Sequence, residues 1–190
     1  MLIIETERLL IRPLRTGDAP AVQVAKEEAW PELQMWMNWA YDDMKPLAAL
    51  KDYIASRPPD NLWDAAIAFD RRDGGFAVMS GVHDKVEGGR FSTGYWAARA
   101  KRGMGYASET TNALIRYAFA HLGAQSVDIC YYEGNTASRR VIDKLGFAYT
   151  HTVKGGHNRC SDGTPLDVHH FVMTDPSVLP PLAWRMVEEA

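Results

Sequence analysis

The clearest chemistry in the chain lies in the string Arg102, Gly103, Met104, Gly105, Tyr106, Ala107, followed by Ser108. Glycines one residue apart let the backbone turn tightly and approach a ligand that a Cβ would hold off. Arg99, Lys101 and Arg102 stand at its entrance with no acid among them, and beyond it Ala107, Thr111, Leu114, Ile115, Ala118 and Leu122 recur at helical spacing until Gly123. A loop that runs into a helix aims unpaired N–H groups and the positive end of the helix dipole at its contents. The chemistry expected is anion binding, suited to a pyrophosphate. Two nucleotide loops are excluded: no GxxxxGK string followed by Ser or Thr occurs, and the third glycine of GxGxxG would fall on Ser108.

The elements around this loop follow from pattern. A strand is expected at Ser92–Ala98 before it, within a run of three hairpin-linked strands at Trp63–Asp70, Gly75–His83 and Phe91–Ala98. After the long helix come a strand at Ser126–Tyr132 and a short helix opened by Asn135–Ser138, carrying Val141, Ile142 and Leu145 and stopped by Gly146. A strand at Phe147–Val153, a glycine-rich loop at Gly155–Pro165 and a strand at Asp167–Thr174 follow. At the start, Leu2–Arg15 reads as strand and turn, and helices are expected at Ala19–Lys26, from Pro31 to Ala40, and at Pro46–Ser56 before Pro58 and Pro59. Pro180 and Pro181 precede Leu182–Glu189, so 175–190 is expected to be a rigid spacer and closing helix of the same domain.

With 190 residues, 46% hydrophobic, the chain suffices for one core, and a single domain over 1–190 is expected. A net charge of −3 disfavours direct nucleic acid binding, for which a basic stripe is needed. Cys130 and Cys160 have no metal-ligand spacing and make no disulfide framework, so no metal is expected. The opening MLIIETERLL lacks a secretory pattern and no apolar run approaches a span, which points to a cytoplasmic protein with no membrane partner. Trp30, Trp36, Trp39 and Tyr41 are dense enough to line an acceptor cleft, although aromatics at helical spacing also build cores. The acids Glu27, Glu28, Glu32, Asp42 and Asp43, with no Lys or Arg between them, add a region suited to a cation.

The element order, the RxxGxA loop and the string NTASRRVIDKLGF (Asn135–Phe147) together resemble the GNAT superfamily of N-acetyltransferases. The opening ETERLLIRPL, the GMGYASE loop and the spacing NxxSxxVxxKxGF are similar to its RimJ and RimL branch, which acetylates ribosomal-protein N-termini. The resemblance implies an α/β (α+β) fold: a mixed, mostly antiparallel sheet splayed at its middle, helices on both faces, and acetyl-CoA in the splay. It implies that main-chain amides of Arg102, Gly103, Met104, Gly105, Tyr106 and Ala107 hold the pyrophosphate, with the Ser108 hydroxyl beside them. Main-chain groups of Tyr95, Trp96, Ala97 and Ala98 pair with the pantetheine arm, Asn135 bonds its amide region, and Ser138 sits near the sulfur. Arg140 and Lys144, a turn apart, reach toward the adenosine phosphates or form a solvated helix face; Asn135 and Ser138 also suit helix capping.

One position departs from the family pattern. Ile142 stands where many members carry a tyrosine that protonates the departing thiolate, so Ser138 is the expected substitute, with Tyr131 and Tyr132 in reserve. The strand Phe91–Ala98 holds no carboxylate; Glu133, His83, Asp84 and His157 are the candidate bases, with His83 also a candidate acceptor contact beside Trp36, Trp39 and Tyr41. Glu109 suits the helix dipole and is read as structural. Cys130 is read as a buried strand residue. The expected reaction is direct attack of an amine on the acetyl thioester, the oxyanion meeting a backbone N–H of Trp96–Ala98. The expected acceptor is a protein or peptide α-amine. The alternatives are a small amine (polyamine, amino acid or antibiotic) and a non-catalytic CoA-binding sensor, and a homodimer is an admissible assembly.

Overall fold

The computed structural model describes residues 2–57, 61–84 and 88–189. Its strands are β1 (Leu2–Thr6), β2 (Leu9–Pro13), β3 (Ala66–Asp70), β4 (Phe76–Asp84), β5 (Arg90–Ala97), β6 (Ser126–Tyr132), β7 (Ala148–Asn158), β8 (Pro165–Met173) and β9 (Trp184–Glu188). They form one nine-stranded sheet in the order β7-β8-β6-β5-β4-β3-β2-β1-β9. Every pairing is antiparallel except β5 with β6. Helices α1 (Ala19–Glu28), α2 (Trp30–Trp36) and α3 (Leu47–Ala55) cover one face, and α4 (Tyr106–His121) and α5 (Thr136–Leu145) the other.

Alternation along the strands supplies both cores. Ile67, Met79 and Trp96 turn toward α1–α3 and meet Val22, Leu33, Leu50 and Ile54. Ile4, Ile11, Val78 and Val82 turn toward α4, where Leu114 and Ile115 are fully buried. No helix among the described residues is long and apolar enough to cross a membrane.

The C-terminal expectation is overturned. Residues 182–189 carry no helix; Trp184–Glu188 is a strand on the free edge of β1, and Arg185 bonds Glu5 at 2.6 Å. An isolated helix of that length is marginal in water, whereas an open sheet edge satisfies the backbone at once. The loop expected at Gly155–Pro165 is also shorter than read, because β7 runs through Gly155 and Gly156 to Asn158. Lys154, Gly155 and Gly156 bulge opposite Asp167, whose carboxylate takes Lys154 Nζ at 2.6 Å and Gly155 N–H at 2.9 Å. A Cβ on Gly156 would lie 2.8 Å from Val153, so the glycine marks a bulge in a strand. Leu2–Arg15 resolves into the β1–β2 hairpin. Pro58, Pro59 and part of the turn expected after Asp84 lie outside the described residues.

Candidate active site

The site begins where two parallel strands part. β5 and β6 pair only through Arg90–Ser126, Phe91–Val127 and Ser92–Asp128, and then diverge. Their outer edges stay occupied, β5 by β4 up to Val78–Ala97 and β6 by β8 up to Tyr132–Val168. Ala98 N–H donates to Ala77 O at 3.0 Å, which sets the alternation of the β4–β5 ladder. Trp96 and Ala98 therefore spend their main-chain N–H groups on β4, while Tyr95 and Ala97 turn theirs into the opening. The oxyanion donor expected from Trp96–Ala98 narrows to Ala97.

The glycine loop closes one end of this opening. Gly103 and Gly105 have φ of +74° and +81°, and nothing lies within 4 Å of where a Cβ on Gly103 would stand. α4 starts directly at Gly105 with no side chain capping it, so its first N–H groups face the cavity unspent. A pyrophosphate fits this cradle, with Gly103 open and the first amides of α4 uncapped.

The basic side chains at its entrance are ion-paired, and Lys101 and Arg102 also line the cavity. Arg99 bonds Glu32 at 2.6 and 2.8 Å, Arg102 lies 3.5 Å from the same carboxylate, and Lys101 bonds Asp70 at 2.8 Å and also Asp73. They are matched by acids distant in sequence and brace the loop. Fully buried Asp70 also takes Tyr106 OH at 2.8 Å and Arg72 Nη2 at 2.9 Å. Arg72 first, then Lys101, hold its carboxyl far below the usual carboxylate range. On the other side Arg8 donates to Met104 O at 2.8 Å and Glu109 at 2.7 Å, and Glu109 also takes Thr6 Oγ1 at 2.6 Å. Arg140 and Lys144 line the cavity from α5, are exposed, and have no ion-pair partner among the described residues.

Two cavities meet at the splay. One, of about 410 Å³, runs from the glycine loop past Ala107 and Ser108 to α5. The other, of about 480 Å³, is enclosed by α1–α3 and strands β4–β6. Trp36, Met37, Tyr95, Trp96, Asn135 and Ser138 line both. At this seam Tyr95 OH lies 3.1 Å from Ser138 Oγ, and burial pushes the Tyr95 hydroxyl up to about 12. A nucleophile in the larger cavity and a thioester in the smaller would meet beside two hydroxyls.

Residues 8–148 match the family model described as Acetyltransferase (GNAT) domain. The chain belongs to the GNAT acetyltransferase family. It is 36% identical over 146 residues to a putative ribosomal N-acetyltransferase, YdaF, of Bacillus subtilis, across 74% of this chain and 78% of that one. Among solved structures it is similar to RimL, a ribosomal L7/L12 alpha-N-protein acetyltransferase in complex with coenzyme A. The TM-score is 0.80 at 17% identity, covering 92% of this chain and 99% of that one. Mycobacterium smegmatis RimJ in complex with CoA-disulfide gives a TM-score of 0.78 at 17% identity, covering 93% and 88%. As a GNAT enzyme the chain transfers acetyl from acetyl-CoA to an amine, and no group of residues suited to a metal ion occurs among the described residues.

Within the GNAT fold the remaining expectations divide. Asn135 is the N-cap of α5, its Oδ1 accepting Ser138 N–H at 3.1 Å, and it lines the seam as well. Trp36, Trp39, His83 and Tyr131 line the acceptor cavity; Tyr41 is exposed outside it and Trp30 is core. Met104 offers only main chain, its side chain being exposed. Glu133 lines neither cavity, pointing instead to His169 Nε2 at 2.5 Å, and Tyr131 is stacked on the same imidazole at 4.7 Å. His157 belongs to β7, stacked on Tyr132 at 4.2 Å, and Asp84 is exposed at the end of β4. Cys130, read as buried, is exposed and faces the acceptor cavity.

Among the four bases considered, His83 alone reaches the acceptor cavity. Asp64 Oδ1 lies 2.9 Å from its Nδ1, and the other carboxylate oxygen pairs with Arg57. The strand leaves room for this contact at Gly81, where a Cβ would sit 2.2 Å from Asp64 O and 2.9 Å from the imidazole. The acids of 27–44 are absent from the acceptor lining: Glu32 serves Arg99, Glu27 accepts from Gln23, and Asp42 accepts from Gln34. Three side chains go beyond the sequence expectations. Tyr95, expected to contribute main chain only, is two residues from Ala97 and so shares its side of the strand; Asp64, expected within a strand at Trp63–Asp70, lies in a turn before β3; and Lys26 falls on the apolar stripe of Ala19 and Val22 on α1.

Proposed function

We propose that the chain acetylates the α-amine of a peptide or protein N-terminus, with His83 as general base and Ser138 and Tyr95 as hydrogen-bond donors to the departing thiolate. The observation carrying this reading is the acceptor cavity itself, which offers one carboxylate-backed imidazole and no carboxylate at the seam with the cofactor cavity. An α-amine with pKa near 8 is about one-tenth neutral at pH 7, so freeing it costs about 1 kcal/mol, whereas lysine at 10.4 costs roughly 4 to 5 kcal/mol. A weak base is adequate for the first and poorly matched to the second.

In the proposed reaction the amine nitrogen bonds the acetyl carbon and the carbon–sulfur bond breaks. His83, oriented by Asp64 at Nδ1, stands five residues along β4 from the partner of Ala97, so the amine proton passes to its Nε2 through water in the acceptor cavity. Ala97 N–H, aimed into the splay, faces the acetyl oxygen and stabilises negative charge there. Ser138 Oγ donates toward sulfur while Tyr95 OH donates to Ser138, and burial keeps the tyrosine protonated at neutral pH. A thiol with an ordinary pKa near 8.5 needs little more help to leave. Mass spectrometry of peptides carrying a free N-terminus and an internal lysine tests the assignment: acetyl is expected at the N-terminus, and preferential lysine acetylation overturns it.

A further inference from the structure

The acceptor cavity holds a cation with no acid in direct contact among the described residues. Lys26 is 3% exposed, lines the cavity from α1, and its Nζ has one hydrogen-bond partner among the described residues, Met44 O at 3.0 Å. An ammonium carries three donors, so two are left for the cavity. The Trp30 ring lies 5.9 Å from Nζ, and the nearest acid in sequence, Glu27, is exposed and takes the Gln23 amide. The other basic groups of the lining are matched: Arg57 and His83 share Asp64. No Asp or Glu contributes to the described lining. Burial disfavours the charged lysine, and the attraction of Glu27, which acts without direct contact, offsets only part of that cost.

Such a group is costly as a structural element and useful as half of a salt bridge. An amine-binding site for polyamines would need acids in its wall, whereas this wall is aromatic, apolar and cationic. We propose that Lys26 is a specificity determinant that binds a carboxylate carried by the acceptor, so that the preferred substrate bears an amine and a carboxylate together. The inference rests on the acetyl-transfer reading of the cavity. The carboxylate has two possible sources, the α-carboxylate of a free amino acid or an acidic side chain in the first residues of a peptide, and both present the same anion.

The test pairs each anionic acceptor with its neutral isostere: amino acids against their amides, and C-terminally amidated peptides opening with Asp or Glu against Asn or Gln. For the wild-type enzyme the KM of the carboxylate member is expected to be at least tenfold lower, and the pair that shows the ratio identifies the source. In Lys26→Met the ratio collapses to about one, and Lys26→Arg restores part of it. Equal KM values within each wild-type pair overturn the inference, as does a Lys26→Met ratio equal to the wild type's. Calorimetry with the N-acetylated carboxylates on the CoA-loaded enzyme reads the subsite without turnover; failure of all of them to bind also overturns it. Binding that depends on Lys26 without turnover of any amine would sink the acetyl-transfer reading and leave the anion subsite standing. Turnover without charge preference does the reverse.

Discussion

Tyr95 and Ser138 reach each other across the splay, their hydroxyl oxygens 3.1 Å apart, one from β5 and the other from α5. The pair occupies the seam of the two cavities, where the proposed reaction gives it the part expected of a tyrosine at the position of Ile142. Ile142 is fully buried in the core beneath α5, so no hydroxyl at 142 could serve without repacking. A buried phenol with its hydrogen bond directed at a serine is a preorganised donor, since neither group must be desolvated at the moment of reaction.

Ser138→Ala is expected to lower kcat by roughly tenfold to a hundredfold, at the lower end of general acid effects. Tyr95→Phe should cost less alone, and the double variant should cost less than the product of the two, because the hydroxyls act as one relay. Steady-state kinetics with calorimetric acetyl-CoA affinity decides: a loss of affinity with normal kcat would make Ser138 a binding or capping residue.

Gly105→Val should abolish measurable acetyl-CoA binding. The position has φ of +81°, which a β-branched residue strongly resists, and its Cβ would stand 3.4 Å from the Arg8 Nη2 that braces Glu109. Destabilisation on the order of 1 to 2 kcal/mol accompanies the binding loss. Unchanged affinity in a folded variant removes the loop from the site.

What could be read in advance was what the chain determines locally. The glycines at 103 and 105 announce a backbone requirement, and the stripe of α4 announces a buried face, so the loop-to-helix unit needed no partner to be recognised. β9 depended on a free edge supplied by β1 at the opposite end of the chain, and the β7 bulge on Asp167, so neither was visible in its own window. The ion pairs of residues 99–102 were out of sight for the same reason: Glu32, Asp70 and Asp73 meet them through tertiary contacts. Lys26 was overlooked because a lysine inside a helical pattern reads as solvated until the neighbouring layer is known.

His83→Gln is expected to lower kcat/KM by about a hundredfold or more while leaving acetyl-CoA affinity intact. The glutamine amide keeps a polar group beside Asp64 but cannot take up the amine proton. Unchanged kcat/KM in a folded His83→Gln variant with normal acetyl-CoA affinity would exclude the imidazole as the base.

Acid should loosen the cofactor loop before it reaches the core, and Asp70 is the reason. Its folded carboxyl lies far below the ordinary unfolded value near 3.9, held there first by Arg72 and then by Lys101. Its contribution is therefore complete above that unfolded value and is lost progressively as pH falls below it toward the folded one. Lys101, raised by Asp70 and then Asp73, contributes in the opposite sense, with stability lost only as pH rises above about 10. Thermal unfolding of wild type and Asp70→Asn between pH 2 and 7 isolates the carboxylate. At neutral pH the variant should melt lower and bind acetyl-CoA more weakly, because Tyr106 and Lys101 lose their shared acceptor. With falling pH the wild-type melting temperature should drop toward that of the variant, whose own curve is flatter. Parallel curves would show that Asp70 is not the group whose protonation loosens the loop.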